Sequence, residues 1–291
     1  MNGDWWLKFQ RAKKHMVDIN KEAMRYASSN PYSFTRIRLP DSKNEIRGHF
    51  RITEQPDPII AVMLGDFVHN LRSALDYVVV ACVPKQRRSK AGFPILFQDI
   101  FAKDKNGEFV VKDAQLRENF ETATKGLHPK ARAIIISLQP YNLSLFGQKV
   151  DPNVITLGII NRLENADKHR QLITLGCGAK DGILSFTIRG FTEPIRYNQT
   201  LATGDKFLKD DTPIPFILPP DFNSIRHPGG SFIKPSDMEM HLSTTAKILV
   251  NVTRTEGNQP PLLFLLNSFM DSALYEVQGI LKKLEFFVFS K

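Results

Sequence analysis

The stretch "GDFVHNLRSALDY", from Gly65 to Tyr77, combines the apolar spacing of a helix with a histidine, an arginine and an aspartate on one side. At about 100° per residue, one broad face of this helix is apolar and must pack into a core. That face consists of Met63, Leu64, Phe67, Val68, Leu71, Leu75 and Val78. His69, Arg72 and Asp76 project from the opposite side. On that side they are flanked by the apolar residues Val62, Gly65, Val80 and Val83. The pattern predicts a helix with neighbours on both sides. The three polar side chains should then be hydrogen-bonded, because an unpaired buried charge costs several kcal/mol.

A second segment, "NRLENADKHR" (161–170), has the same character. Arg162 and His169 are seven positions apart, so they share one helical face, with Asn165 between them. An apolar stripe lies on another face of the segment. We therefore expect the polar faces of the two helices to meet and to bring two histidines, two arginines, Asp76 and Asn165 together.

Two imidazoles beside fixed cations are the smallest set of groups that acid/base cleavage of a phosphodiester bond requires. The predicted catalytic residues are His169, His69, Arg162, Arg72 and Asp76. The competing interpretation is structural. Arg72 and Asp76 are spaced as an ordinary i,i+4 ion pair, and "DKHR" places cations at a helix C-terminus, where the dipole favours them. In that case the chain is a non-catalytic binding or scaffolding protein.

A metal site is the other chemistry that these residues could serve. Asp66 and His69 form an i,i+3 pair of the kind found in helical-bundle metal sites, and Asp76, Asp167 and His169 could add ligands. However, Asp66 points about 60° away from His69 around the helix, and the arginines would repel a cation. The sequence contains no Walker loop, GxGxxG or CxxC motif. We therefore expect neither a metal nor a cofactor.

The composition is that of an ordinary folded protein with an excess of basic residues. Of the 291 residues, 42% are hydrophobic and 24% are charged, which argues against disorder. The net charge of +9 favours a polyanionic partner such as RNA, because excess Lys and Arg attract phosphate. The densest basic segment is "KQRRSK" (85–90). Its predicted nucleic-acid-binding residues are Lys85, Arg87, Arg88 and Lys90, and a solvated loop is the alternative.

Cysteine usage and apolar runs bear on the location of the protein. Cys82 and Cys177 lie in apolar contexts without ligand-like spacing, which is typical of small buried side chains in a reducing compartment. No signal-peptide pattern opens the sequence. The longest apolar runs, "YVVVACV" and "PLLFLL", are far shorter than the ~20 residues of a membrane span. We expect a cytoplasmic protein that does not interact with membranes.

The periodicity predicts an α+β protein, a helical bundle with inserted hairpins and an antiparallel sheet. It is expected to be a single elaborated domain over 1–291, with a β-rich portion at 171–256. The helical core is predicted from 4–29, 57–83, 130–170 and 260–288, the last with Pro260 or Pro261 in its first turn. The segment between residue 93 and about residue 130 is predicted as loop with short elements.

Alternating patterns predict the strands. "YSFTRIRL" and "EIRGHFRIT" form a hairpin pattern around "PDSKN". "QLITLGCGAKDGILSFTIRGF" predicts two strands joined at Asp181-Gly182, a strong turn signal. "EPIRYNQTL" and "AKILVNVTRT" are expected to extend the same sheet, and a Pro-rich segment lies between them.

The combination of "NLRSALDY" and "NADKHR", with "FPI" and "LQPY" between them, resembles a family of uncharacterised bacterial proteins. This resemblance covers much of the middle of the chain. It implies no particular activity.

Arg162 followed by His169, with six residues between them, is similar to the motif of the HEPN superfamily. These are helical-bundle proteins, many of them RNases of toxin and defence systems. The resemblance implies that His169 is the acid/base group acting at the ribose 2′-OH and that Arg162 supports the phosphate. It also implies that a homodimer completes the site. The sequence departs from the motif at Leu163, where the family usually has a polar residue.

Overall fold

The computed structural model describes most of the chain. The described residues are 3–38, 45–111, 113–145, 148–149, 151–152, 154–168, 173–179, 182–188, 191, 195–201, 212–217, 226, 228–232, 238–243, 246–252 and 262–289. The helices are α1 (Asp4–Ser28), α2 (Ile59–Cys82), α3 (Ala114–Thr124), α4 (Pro129–Ser137), α5 (Thr156–Lys168) and α6 (Leu266–Phe289). None of the described helices has both the length and the apolar character needed to cross a membrane.

The described residues group into two compact units, and the protein is of the α+β class, as predicted. The helical unit comprises Met1–Lys21, Pro58–Thr174 and Val250–Lys291. The second unit, which is rich in strands, comprises Glu22–Asp57 and Leu175–Leu249. All of the candidate site residues that the structure describes lie in the helical unit.

Helix α2 is the centre of the helical unit and packs against both α5 and α6. It occupies nearly the range predicted from the sequence, because Pro58 precedes its first turn and Val83 is extended before Pro84. Leu64 and Phe67 are fully buried, and the Phe67 ring meets Phe269 of α6 edge to face at 6.4 Å. Each such buried side chain stabilises the core by roughly 1.5–3 kcal/mol. The helix therefore has neighbours on two sides, as its double apolar pattern predicts.

The strands are β1 (Tyr32–Arg38), β2 (Glu45–Ile52), β3 (Ser144–Leu145), β4 (Gln148–Lys149), β5 (Thr174–Ala179), β6 (Gly182–Ile188), β7 (Ile195–Leu201), β8 (Thr212–Ile217), β9 (Met238–Ser243), β10 (Ala246–Val252) and β11 (Leu262–Leu265). The predicted first hairpin is confirmed, since β1 and β2 pair antiparallel with Tyr32 opposite Ile52. Strand β8 pairs with the other side of β2. Strand β6 lies between β7 and β9, and β10 is next to β5.

The hairpin predicted at Asp181-Gly182 is wrong. Strand β6 pairs antiparallel with β7 over Gly182 to Ile188 and with β9 over Ile183 to Ile188. Both edges of β6 are therefore occupied, and no edge is left for β5. The single extended sheet that was predicted is also wrong, because β10 neighbours β5 while β7 neighbours β6. An Asp-Gly pair allows a two-residue turn but does not choose the partner of either strand. Asp181 lies outside the described residues.

Two further elements differ from what the sequence predicts. The C-terminal helix begins at Leu266 rather than near 260, because Leu262–Leu265 is a strand. An uninterrupted apolar run carries no period and does not distinguish strand from helix. Helix α3 lies in the segment predicted as loop, and its N-cap is Asp113, whose side chain accepts a hydrogen bond from Leu116 N at 3.0 Å.

Strand β8 falls in the Pro-rich segment that carried no strand prediction. Pro213 and Pro215 lie two residues apart, so both missing N–H groups are on the same edge of the strand. In the described sheet β8 is an edge strand, and its other edge remains able to pair with β2. The prolines thus allow this strand only at an edge.

Candidate functional site

The polar face of α2 meets α5 through His69 and Glu164. His69 Nδ1 lies 3.2 Å from Glu164 Oε1. The two side chains differ sharply in exposure, since His69 is 52% exposed and Glu164 is 3% exposed. A buried carboxylate therefore holds one edge of an imidazole whose ring remains open to solvent.

The second ring nitrogen of His69 faces a serine on the same helix. Ser73 Oγ lies 3.5 Å from His69 Nε2, an i,i+4 contact along α2. When the Nδ1 hydrogen is donated to the ionised Glu164, Nε2 is the acceptor nitrogen of the neutral ring. The carboxylate thus favours the tautomer in which Nε2 can take a proton from a hydroxyl group.

Arg72 and Asp76 form the intrahelical ion pair that their spacing predicts. Arg72 Nη2 lies 3.3 Å from Asp76 Oδ1, and the side chains are 18% and 37% exposed. The same Asp76 oxygen accepts a hydrogen bond from Phe93 N at 2.8 Å. Within the described residues, Arg72 Nη1 is buried and has no hydrogen-bond partner. Asp76 therefore holds both the backbone after α2 and one end of the Arg72 guanidinium.

The segments "FPI" and "LQPY" are held together by the hydrogen bonds of Gln139. Gln139 is fully buried, and its Oε1 accepts a hydrogen bond from Leu96 N at 2.7 Å. Its Nε2 donates to Pro94 O at 3.0 Å and to Ile135 O at 2.9 Å. Asp76 and Gln139 together fix the backbone between Phe93 and Leu96. The segments "FPI" and "LQPY" thus contain residues with a clear structural role.

Arg162 of α5 contacts the segment that follows α2. Its guanidinium carbon is 5.4 Å from the centroid of the Phe97 ring, a cation–π contact. One turn earlier, Gly158 allows a close approach, because a Cβ there would lie 2.1 Å from Pro152 O. The half-buried Arg162 is therefore held against an aromatic ring on the segment that follows α2.

The other predicted site residues are only partly within the described structure. His169 lies outside the described residues, so its proximity to His69 stays a prediction. Asn165 is exposed on α5. Among the residues that the structure describes, no group of three or more His, Cys, Asp or Glu side chains could hold a metal ion. The side chain of Asp167 is outside that description.

The basic segment after α2 forms a short 3-10 helix over Lys85–Lys90, and all of its residues are exposed. It includes the four predicted nucleic-acid-binding residues. Gly126, with φ of +91°, passes close to this segment, since a Cβ there would lie 3.1 Å from Pro84 Cδ and 3.7 Å from Arg87 Cγ. The exposed Lys125, which precedes Gly126, therefore has its backbone near the basic segment. Sequence reasoning missed Lys125 because it lies far along the chain.

Glu164 and Ser73 are the site residues that sequence reasoning missed. A detectable signal existed for Glu164, because it follows the buried Leu157 and Ile160 at helical spacing. An acidic residue in line with a buried stripe needs a partner. Ser73 gave no comparable signal, since a serine four residues after a histidine is common on exposed helices.

No protein-family model, curated protein or solved structure matches the chain.

Proposed function

We propose that the protein cleaves phosphodiester bonds in RNA at the polar cluster on α2 and α5. The observation that carries this proposal is the pairing of the half-exposed His69 with the buried Glu164. The cluster is defined by His69, Arg72, Ser73 and Glu164. Arg162 of α5 is proposed to support the phosphate and His169 to take part in acid/base chemistry, as the HEPN resemblance implies.

His69 is the proton-transfer group in this proposal. An imidazole can both accept and return a proton, which suits it to acid/base catalysis. The contact with Glu164 restrains the ring and favours one tautomer, which is the role of the carboxylate in Ser-His-Asp sites. General acid–base transfer of this kind contributes typically 10²–10⁴-fold in rate.

Arg72 is the proposed phosphate-binding group. Its side chain is 18% exposed, and its Nη1 is a buried donor without a hydrogen-bond partner within the described residues. A guanidinium can donate two parallel hydrogen bonds to a phosphate, and Asp76 occupies only Nη2. Because Nη1 is buried, a phosphodiester oxygen would satisfy this donor only once the guanidinium turns toward the surface.

The basic surface formed by Lys85, Arg87, Arg88, Lys90 and Lys125 supports a polyanionic substrate. All five side chains are exposed. From His69 to the end of α2 at Cys82 is 13 residues, or roughly 20 Å of helix. RNA bound at both places would span several nucleotides. Its affinity would then come largely from released counterions.

A non-catalytic binding or scaffolding protein is the second candidate. It is favoured by the hydrogen bond from Phe93 N to Asp76, which gives one of the predicted catalytic residues a structural role. In this case the polar cluster fixes the packing of α2, α5 and the segment after α2. The basic surface could still bind a polyanion.

The two candidates are separated by RNA cleavage in a variant that keeps the shape of the site. Glu164→Gln retains the volume of the side chain but no longer favours the required tautomer of His69. We expect the wild type to cleave end-labelled single-stranded RNA and Glu164→Gln to be ~10²-fold slower or more. Glu118→Gln, on the exposed surface of α3, is the matched control and should cleave at the wild-type rate. Equal rates for Glu164→Gln and the wild type would exclude a catalytic role for the His69–Glu164 pair.

A further inference from the structure

We propose that Ser73 is the nucleophile of this site and that phosphodiester cleavage passes through a phosphoserine intermediate. The inference rests on the proposed function and deepens it. It differs from attack by the ribose 2′-OH because the attacking oxygen belongs to the protein.

The geometry places three side chains in the order of a nucleophile, a base and an orienting acid. Ser73 Oγ faces His69 Nε2 at 3.5 Å, and His69 Nδ1 faces Glu164 Oε1 at 3.2 Å. The two contacts use opposite nitrogens of one ring, as in Ser-His-Asp sites on unrelated folds. The serine contact is longer than a formed hydrogen bond. Contacts of this kind often tighten only when substrate binds.

Access and charge also suit a phosphoryl substrate. Ser73 is partly exposed, so an incoming phosphodiester can reach Oγ along the open side of His69. Arg72 precedes Ser73 on the same helix, and its Nη1 is buried without a hydrogen-bond partner among the described residues. If its guanidinium turns toward the bound phosphodiester, Arg72 would stabilise the charge on the phosphoryl oxygens during transfer. This favours a phosphodiester over a neutral ester.

The reaction has two steps. In the first, Ser73 Oγ forms a bond to phosphorus, the bond from phosphorus to the leaving oxygen breaks, and the hydroxyl proton passes to His69 Nε2. His69 then protonates the leaving oxygen. In the second, His69 takes a proton from water, whose oxygen forms the new bond to phosphorus. The bond from phosphorus to Ser73 breaks, and the serine oxygen recovers the proton from His69.

An alkyl fluorophosphonate tests the nucleophile directly. Attack by Ser73 would form an oxygen–phosphorus bond, expel fluoride and leave the proton on His69. We expect intact mass spectrometry of the full chain to show one adduct, mapped to the peptide that contains Ser73. Ser73→Ala should lose this adduct, and Glu164→Gln should label ~10-fold more slowly or worse. Ser272→Ala, which removes an exposed serine of α6, should label like the wild type. Absence of the adduct in the wild type, or its persistence in Ser73→Ala, would overturn the proposal.

A 2′-deoxy oligonucleotide separates this inference from the proposed function. Attack by Ser73 needs no 2′-OH, so RNA and DNA of the same sequence should both be cleaved, and Ser73→Ala should lose both activities. Cleavage of RNA alone, unchanged in Ser73→Ala, would overturn the role of Ser73 and leave the proposed RNA cleavage standing. Specific labelling of Ser73 with no cleavage of either nucleic acid would support the nucleophile and contradict the proposed function.

Discussion

Asp76 and Phe93 are joined across 17 residues of sequence, because Asp76 Oδ1 accepts the backbone hydrogen bond of Phe93 at 2.8 Å. The same oxygen pairs with Arg72 at 3.3 Å. One carboxylate thus links the polar face of α2 to the segment that follows the helix. Replacing Asp76 and replacing Arg72 should therefore lower the free energy of unfolding by different amounts.

We expect Asp76→Ala to lower the free energy of unfolding by about 1–3 kcal/mol, because it leaves the Phe93 amide and the Arg72 guanidinium without their acceptor. Asp76→Asn keeps one acceptor oxygen and should cost less. Arg72→Ala should cost about 1 kcal/mol, since Asp76 is 37% exposed and still bonds to Phe93. Urea unfolding measures all three, with Asp271→Ala on the exposed face of α6 as the control. A larger loss for Arg72→Ala than for Asp76→Ala would contradict this assignment.

Gln139 should be among the most sensitive polar residues of the helical unit. It is fully buried and makes hydrogen bonds to Leu96, Pro94 and Ile135. Gln139→Leu should lower the free energy of unfolding by roughly 2–4 kcal/mol, because several buried backbone groups lose their partner. Gln115→Leu, at an exposed position of α3, should change it by less than about 0.5 kcal/mol. Similar melting temperatures for the two variants would show that the segment is held by other contacts.

The basic surface should determine the salt dependence of RNA binding. Replacing Lys85, Arg87, Arg88 and Lys90 by glutamine should reduce the slope of log K against log salt concentration by up to about 3 for a single strand. Fluorescence anisotropy with a labelled oligonucleotide measures this slope.

The control for charge alone replaces four basic residues of α1 instead, Arg11, Lys13, Lys14 and Lys21, all of them exposed. For this α1 variant, the slope of log K against log salt concentration should stay close to that of the wild type. Equal reductions in both variants would attribute RNA binding to net charge rather than to this surface.

Glu276 of α6 should make stability depend on pH. Burial raises the pKa of this carboxyl, and a hydrogen bond with Thr156 offsets part of the rise. Above the unfolded-state pKa of about 4.3, and up to the raised pKa of the folded state, the native state binds more protons than the unfolded state. Stability from this group is therefore lost as the pH rises through that window. Glu276→Gln should gain stability relative to the wild type as the pH rises above about 4.3.

Calorimetric melting across this range tests the pH prediction. Glu118→Gln, at an exposed site, should follow the wild-type curve. A constant difference between Glu276→Gln and the wild type at every pH would show that the raised pKa does not contribute.

The parts of the fold that local pattern determines were predictable from the sequence. Alternation specified the β1–β2 hairpin, and helical spacing between Pro58 and Pro84 specified α2. The partner of β5 was not predictable, because strands β6 and β10 offer equally suitable patterns and the choice depends on non-local pairing. Helix α3 was missed although Asp113 provides an N-cap signal.

The packing of α2 against α5 was predictable from the sequence, but the residues that make the polar contact were not. The polar residues expected to meet α2 were Arg162, Asn165 and His169, but Asn165 is exposed and His169 lies outside the described residues. The contact of His69 is with Glu164, which lies in line with buried residues of α5 and was therefore assigned to no polar face. Helical spacing fixes which residues share a face. It does not fix how far a long side chain such as Glu reaches beyond that face.

The most direct test of the central claim is the rate of RNA cleavage by His69→Gln, measured together with its melting temperature. His69 is 52% exposed, so the substitution should shift the melting temperature by only a few degrees, while glutamine can still donate to Glu164. Loss of the proton-transfer group should slow cleavage by ~10²-fold or more. A wild-type protein that cleaves no RNA, or a His69→Gln variant that cleaves as fast as the wild type, would contradict the account.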